Sequence, residues 1–124
     1  PSDHAVDELA AADVVALTSV WEAVPLVVAE AAQLGRPIVS TDVGIVSELV
    51  SDGVDGFVVA VGDADGVAAA LIEVLSRGER DEMGRHAREV AVARIDPDRL
   101  VDEVVGVYDG LVAPRPGPDP EARS

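Results

Sequence analysis

The 124-residue chain contains no cysteine and no lysine, and one residue each of tryptophan, tyrosine and phenylalanine. Without cysteine there is neither a disulfide framework nor thiol chemistry, a composition compatible with a reducing compartment. Nine arginines stand against 24 acidic residues, and the formal net charge of −15 opposes nucleic acid or anionic lipid as a partner. The two histidines, His4 and His86, lie far apart without cysteine neighbours. They read as surface side chains, and no metal is expected. No apolar run reaches the ~18 residues of a membrane span, and Pro1 begins without a basic-then-apolar signal region. The expected compartment is therefore the cytoplasm. No internal repeat is visible.

What is present reads as alternating strands and helices. Asp13-Val14-Val15-Ala16-Leu17-Thr18 is a short β-branched run, the pattern of a strand buried on both faces of a parallel sheet. A loop from Ser19 to Val24 follows. Pro25 suits the first turn of a helix and Gly35 the left-handed residue past its end, which predicts a helix over Pro25–Leu34. Arg36 to Thr41 is a second strand with proline tolerated at its start, and a third lies near 56–61. Asp52-Gly53 and Asp55-Gly56 are turn signals around it, without the ligand series of a calcium loop. Further helices are predicted over Gly66–Arg77, over Arg80–Arg94, and from Pro97 to about Val112. In the second of these, Arg85 and Arg88 beside Asp81, Glu82 and Glu89 make a charged, solvated face. The last carries a stripe of Leu100, Val104, Val107 and Leu111, by which it is expected to dock locally. A short helix from His4 to Ala11, with Val6 and Leu9 inward, precedes the first strand. Residues 113–124, with four prolines, read as a disordered tail.

The chemistry centres on two glutamates eight positions apart, Glu22 and Glu30, the only ionised groups between Val20 and Ala32. A buried carboxylate costs several kcal/mol unless something hydrogen-bonds it. Leu26, Val27, Val28, Ala29, Ala31, Ala32 and Leu34 leave the helix no polar face, so cover on its outer side by another domain or a ligand cleft is expected. Both glutamates would border the carboxyl ends of the strands, the edge at which open α/β sheets bind ligands. The N–H groups of Ala23, Val24 and Leu26 cluster at the helix start as an anion site suited to a diphosphate. Taken alone, two glutamates are more simply read as solvated charges. Asp63-Ala64-Asp65 has the spacing of a metal-binding pair, but it directly precedes a helical pattern, so a helix N-cap is the better reading.

The ordered string around the pair resembles the donor-binding domain of the retaining family 4 glycosyltransferases of the GT-B fold. It runs Glu22, Glu30, Ala31, Gly35, Pro37, Val39, Thr41-Asp42-Val43-Gly44, Glu48-Leu49-Val50 and Asp52-Gly53-Val54-Asp55-Gly56-Phe57. It continues through Val61-Gly62-Asp63 to Tyr108, nearly everything before Ala113. The resemblance implies an α/β, Rossmann-like parallel sheet with flanking helices. It also implies a nucleotide-sugar donor whose ribose hydroxyls bond Glu30 and whose sugar lies at Glu22, the catalytic residue, in a positioning or charge-steadying role. Ala23, Val24 and Leu26 complete the donor site. The implied reaction is retaining hexosyl transfer without a metal or other cofactor, to an acceptor the sequence does not specify. Departures from the family pattern fall at Ala23, Val24-Pro25, Gly44-Ile45 and Ser47.

Doubly wound domains order six strands 3-2-1-4-5-6, and the three here correspond to the last three. Residues 1–112 are thus expected to form the second half of a GT-B donor domain. The arginine and lysine that clamp the diphosphate, and the acceptor domain that reaches any membrane-bound acceptor, belong to the other part of such enzymes. The unpaired edge of the first strand favours self-association. Two other readings stand beside this one: a non-catalytic α/β interaction module derived from such a domain, and a nucleotide-sugar epimerase of related fold. The chain by itself is expected to lack transferase activity, because positioning two substrates is most of the catalysis.

Overall fold

A computed structural model describes residues 4–76, 78–94 and 97–112. In order, the elements are α1 (Ala5–Ala11), β1 (Val15–Leu17), α2 (Leu26–Gln33), β2 (Ile38–Thr41), α3 (Val46–Leu49), β3 (Gly56–Val59), α4 (Ala64–Ser76), α5 (Arg80–Arg94) and α6 (Pro97–Val112). The strands form one parallel sheet in the order β1-β2-β3, with Val15 opposite Ile38 and Ile38 opposite Gly56. All three predicted strands are present and shorter than expected. The one-turn α3 was not foreseen. The predicted end of one helix at Arg77 and the proline-rich tail at 113–124 lie outside the described residues.

Two apolar layers sandwich the sheet, set by the alternation of side chains along it. Val15 and Ile38 point to one face, where Val28, Ala31 and Ala32 of α2, Val46 of α3 and Ala87 and Ala91 of α5 pack. Val39, Phe57 and Val59 point to the other, against Val67, Ala70 and Val74 of α4. All four residues of β2 are buried, as a central parallel strand requires. Fully burying a valine or isoleucine contributes ~1.5–3 kcal/mol, while an exposed ion pair such as Arg85–Glu89 contributes at most ~1 kcal/mol. The sandwich therefore outweighs the surface charges in holding the fold.

Much of the apolar surface of α2 is covered by α5 of the same chain, a neighbour that the sequence did not reveal. Contact is close because both partners are small. A Cβ on Gly84 would lie 2.0 Å from the carbonyl oxygen of Gly35. A narrow strip of Leu26, Glu30 and Gln33 stays exposed, at the i, i+4, i+7 spacing of one helical side. Pro25 precedes the helix as its N-cap instead of entering its first turn, because its ψ of 86° is not helical. Gly35, at φ 68°, closes the other end as expected. Its N–H reaches Ala32 and that of Arg36 reaches Ala31, each at 2.9 Å, the paired bonds of a Schellman motif.

Two further expectations are corrected. Val6 of α1 points outward at 58% exposure, and it is Leu9 that packs on the core. Val104 and Val107 of α6 are exposed together with Val101, Val105 and Tyr108, so these two members of the stripe do not dock locally. The side chains of Leu100 and Leu111 lie outside the described residues.

Asp55 is the one carboxylate in the buried core among the described residues. Its Oδ1 accepts the Ser51 N–H at 2.6 Å, and its Oδ2 has no partner. Burial pushes its pKa above the ordinary 3.8, opposed by the Ser51 hydrogen bonds and by the charge of Arg94. The fold thus tolerates the protonated form best, and stability present below pH 3.8 is lost as pH rises through the elevated value. Asp55→Asn is expected to raise Tm at pH 7 by roughly 4–8 °C per kcal/mol of desolvation relieved. Thermal melts from pH 7 downward should show that advantage shrinking and disappearing in the acid range; a gain independent of pH would rule the explanation out.

Candidate functional site

The loop between β1 and α2 is held from below by the end of β2. Thr41, nearly inaccessible, donates its hydroxyl hydrogen to the Ser19 carbonyl at 2.6 Å, with the Leu17 carbonyl farther off at 3.4 Å. Ser19 in turn donates its own hydroxyl to Oε1 of Glu22 at 2.8 Å. The turn after β2 supplies the remaining support. Gly44, at φ 55°, comes so near the loop that a Cβ there would lie 2.5 Å from the Ala23 carbonyl oxygen and 2.7 Å from that of Glu22.

This approach orients the loop amides. The carbonyl oxygens of Glu22 and Ala23 face Gly44, and no peptide bond among the described residues is cis. A trans peptide sets its N–H opposite its C=O, so the N–H groups of Ala23 and Val24 face away from the turn together. Among the described residues no backbone carbonyl accepts from the N–H of Ala23, Val24 or Leu26. Around these free donors Val20, Trp21, Val24 and Leu26 are exposed, the first two at 80%. Half-buried Glu22 thus stands in an apolar rim at the carboxyl end of β1. Such a grouping of exposed apolar side chains is a candidate binding surface.

Glu30 lies elsewhere on the same side of the molecule. It is exposed and lines a cavity of about 380 Å³ with α1 and the free edge of β1, touched by Leu9, Val14, Ala16 and Val27. Glu22 does not line that cavity. The expectation that both glutamates border the strand ends therefore holds for Glu22, while Glu30 sits beside the strand, since α2 runs back along the sheet. A second cavity, about 340 Å³, opens at the carboxyl ends of the strands between Thr18, Thr41 and the start of α4 at Gly62, Asp63 and Ala64. Asp63 caps α4 as expected, accepting the Gly66 N–H at 2.9 Å. His86 stands 3.9 Å from Glu82 and 3.7 Å from Glu89 on α5.

Sequence reasoning missed Ser19 and Thr41 as members of the site. A local signal existed for Ser19, which stands three residues before Glu22, within reach of a side-chain bond. For Thr41 the hints were a hydroxyl at the end of an apolar strand and its place at the head of the Thr41-Asp42-Val43-Gly44 turn. Its partner 22 residues earlier becomes a neighbour only when β1 and β2 pair.

The support from Gly44 can be tested by adding one methyl group. Gly44→Ala meets both the left-handed φ and two carbonyl oxygens, whereas Gly53→Ala, at φ 77°, meets only the φ. The strained backbone alone costs ~1–3 kcal/mol. Urea unfolding should show Gly44→Ala more destabilised than Gly53→Ala, and equal losses would mean that the loop does not rest on Gly44.

Comparison with known proteins follows the same lines. Residues 2–77 match the family described as Glycosyl transferases group 1. N-acetyl-alpha-D-glucosaminyl L-malate synthase of Bacillus anthracis is 33% identical over 107 residues, 86% of this chain and 28% of that protein. The chain therefore spans little more than a quarter of such a relative. Sucrose-phosphate synthase of Thermosynechococcus elongatus superposes with a TM-score of 0.79 at 26% identity, over 86% of this chain and 27% of the other. HepE of Anabaena, solved with UDP and glucose, superposes at 0.77 with 27% identity, over 83% of this chain and 29% of the other. The same protein solved with UDP-glucose superposes at 0.69 with 26% identity, over the same shares. With a match from residue 2 to residue 77 and these superpositions, the chain belongs to the Glycosyl transferases group 1 family and forms part of a GT-B domain.

Proposed function

We propose that the chain is the carboxyl-side part of the donor domain of a retaining family 4 glycosyltransferase, taking a nucleoside diphosphate hexose. The observation that carries this reading is the pair of free amides at Ala23 and Val24, turned together beside Glu22 at the carboxyl end of β1. In a 3-2-1-4-5-6 sheet the topological switch point falls at the free edge of β1, and ligands bind in the crevice there. Glu22 stands past the end of that strand, and Glu30 lines a cavity along its edge.

Each group then has a task. The N–H groups of Ala23, Val24 and Leu26 receive the diphosphate, a role backbone donors can fill in a chain with a net charge of −15. Glu30 accepts from both hydroxyls of the ribose cis-diol, and a carboxylate has acceptor capacity for two such bonds. Glu22 receives hydroxyls of the hexose and steadies positive charge developing at the anomeric carbon. Amides fixed before the reaction stabilise the charge that grows on the departing diphosphate. That diphosphate takes the acceptor's proton, with retention at the anomeric carbon, and no step calls for a metal. UDP-glucose, bound by the Anabaena protein, is the natural first donor to try.

A second reading, a non-catalytic interaction module, is favoured by one observation: the exposed Val101, Val104, Val105, Val107 and Tyr108 of α6. The epimerase alternative has no such support, and the family match speaks against it.

The decisive comparison is binding of UDP by the unaltered chain and by Glu30→Ala. Losing a charged acceptor for two hydroxyls should weaken binding at least about tenfold, read by NMR titration of the Ala23 and Val24 amides. Absence of binding in both forms would leave the interaction module as the better reading. In a coupled assay for UDP release, the 124-residue chain by itself is expected to show no transfer from UDP-glucose. Turnover would show that half the donor domain suffices.

A further inference from the structure

We infer that Ser19 is the positioning residue of Glu22, presenting one carboxylate oxygen to the hexose, and that Thr41 fixes the backbone from which Ser19 acts. The inference rests on the donor-site reading above and specifies how that site is pre-arranged.

Three contacts divide the labour. The loop backbone is tied by the Thr41 hydroxyl to the Ser19 carbonyl at 2.6 Å. It is also backed by Gly44 against the carbonyls of Glu22 and Ala23. The bond from Ser19 Oγ to Glu22 Oε1, at 2.8 Å, joins two side chains of the loop and engages no backbone atom. Its physical effect falls on the glutamate. A serine hydroxyl has a single hydrogen to donate, and spending it on Oε1 leaves Oε2 to accept from the ligand. A glutamate side chain loses up to ~2 kcal/mol of rotamer freedom when it is ordered. Ordering it before the ligand arrives removes that cost from binding.

Two substitutions separate these tasks. Ser19→Ala keeps the backbone anchor and releases only the carboxylate. Thr41→Val keeps the buried shape and releases the loop, so the amides of Ala23 and Val24 loosen together with Glu22. The probes separate as well: UDP-glucose engages the hexose subsite and UDP does not.

The experiment titrates the full chain and its variants with UDP and with UDP-glucose. It follows amide shifts by NMR and the fluorescence of Trp21, the single tryptophan, which directly precedes Glu22. Ser19→Ala should weaken UDP-glucose roughly 2- to 10-fold and leave UDP unchanged. Ser19→Thr, which retains the hydroxyl, should restore the loss, and Thr41→Val should weaken both probes. Equal weakening of both probes by Ser19→Ala would overturn the assignment, since the serine would then be a loop-forming residue only. No change with either probe would overturn it as well. If the unaltered chain binds UDP but gains nothing from the hexose, Glu22 has no sugar to hold and the assignment fails while the nucleotide site survives. If the unaltered chain binds neither probe, the donor-site reading falls and this inference falls with it.

Discussion

Strand β2 is the element on which both the fold and the site depend. Ile38 closes one apolar layer, Val39 the other, and the whole strand is excluded from water. Its last residue then leaves the core and enters the site, where the Thr41 hydroxyl reaches the Ser19 carbonyl. Three residues on, Gly44 meets the backbone of Glu22 and Ala23. A loop that would otherwise be a flexible link between β1 and α2 is thereby held by the most deeply buried strand. Packing energy in the sheet is thus coupled directly to the orientation of two amides and one carboxylate.

On the proposed reading, that coupling matters because a diphosphate site here has little else to work with. No arginine stands in the segment from Val20 to Ala32, the chain has no lysine, and its overall charge repels anions. Backbone N–H groups escape this difficulty, since their partial charge is local and acts at contact distance. They are useful only when their direction is fixed, and direction is what Gly44 and Thr41 supply.

Much of the architecture was legible from residue pattern. The parallel three-stranded sheet, α2 ending at the left-handed Gly35, and the capping of α4 by Asp63 followed from β-branched runs and from punctuation by Pro, Gly and Asp. The errors share a cause. Residue pattern turns Val6 inward, docks α6 and leaves α5 unseen as the neighbour of α2; each concerns which element covers which surface. Periodicity reports that a side is apolar and is silent about its neighbour. For α2 that neighbour was α5, brought close by Gly35 and Gly84, nearly fifty positions apart in the chain.

The same division runs through the site. The chain's own order of residues determined that two carboxylates would lie eight positions apart, one in the loop and one on the helix, with free amides at the helix start, because helix boundaries are written in local residue types. Only the tertiary structure decided that Thr41 would hold Ser19 and that Glu30 would line a cavity beside β1 apart from Glu22. The physical reason is range. Capping and periodicity act over a few residues, whereas a hydrogen bond across 22 positions exists only after hydrophobic burial has brought β1 and β2 side by side.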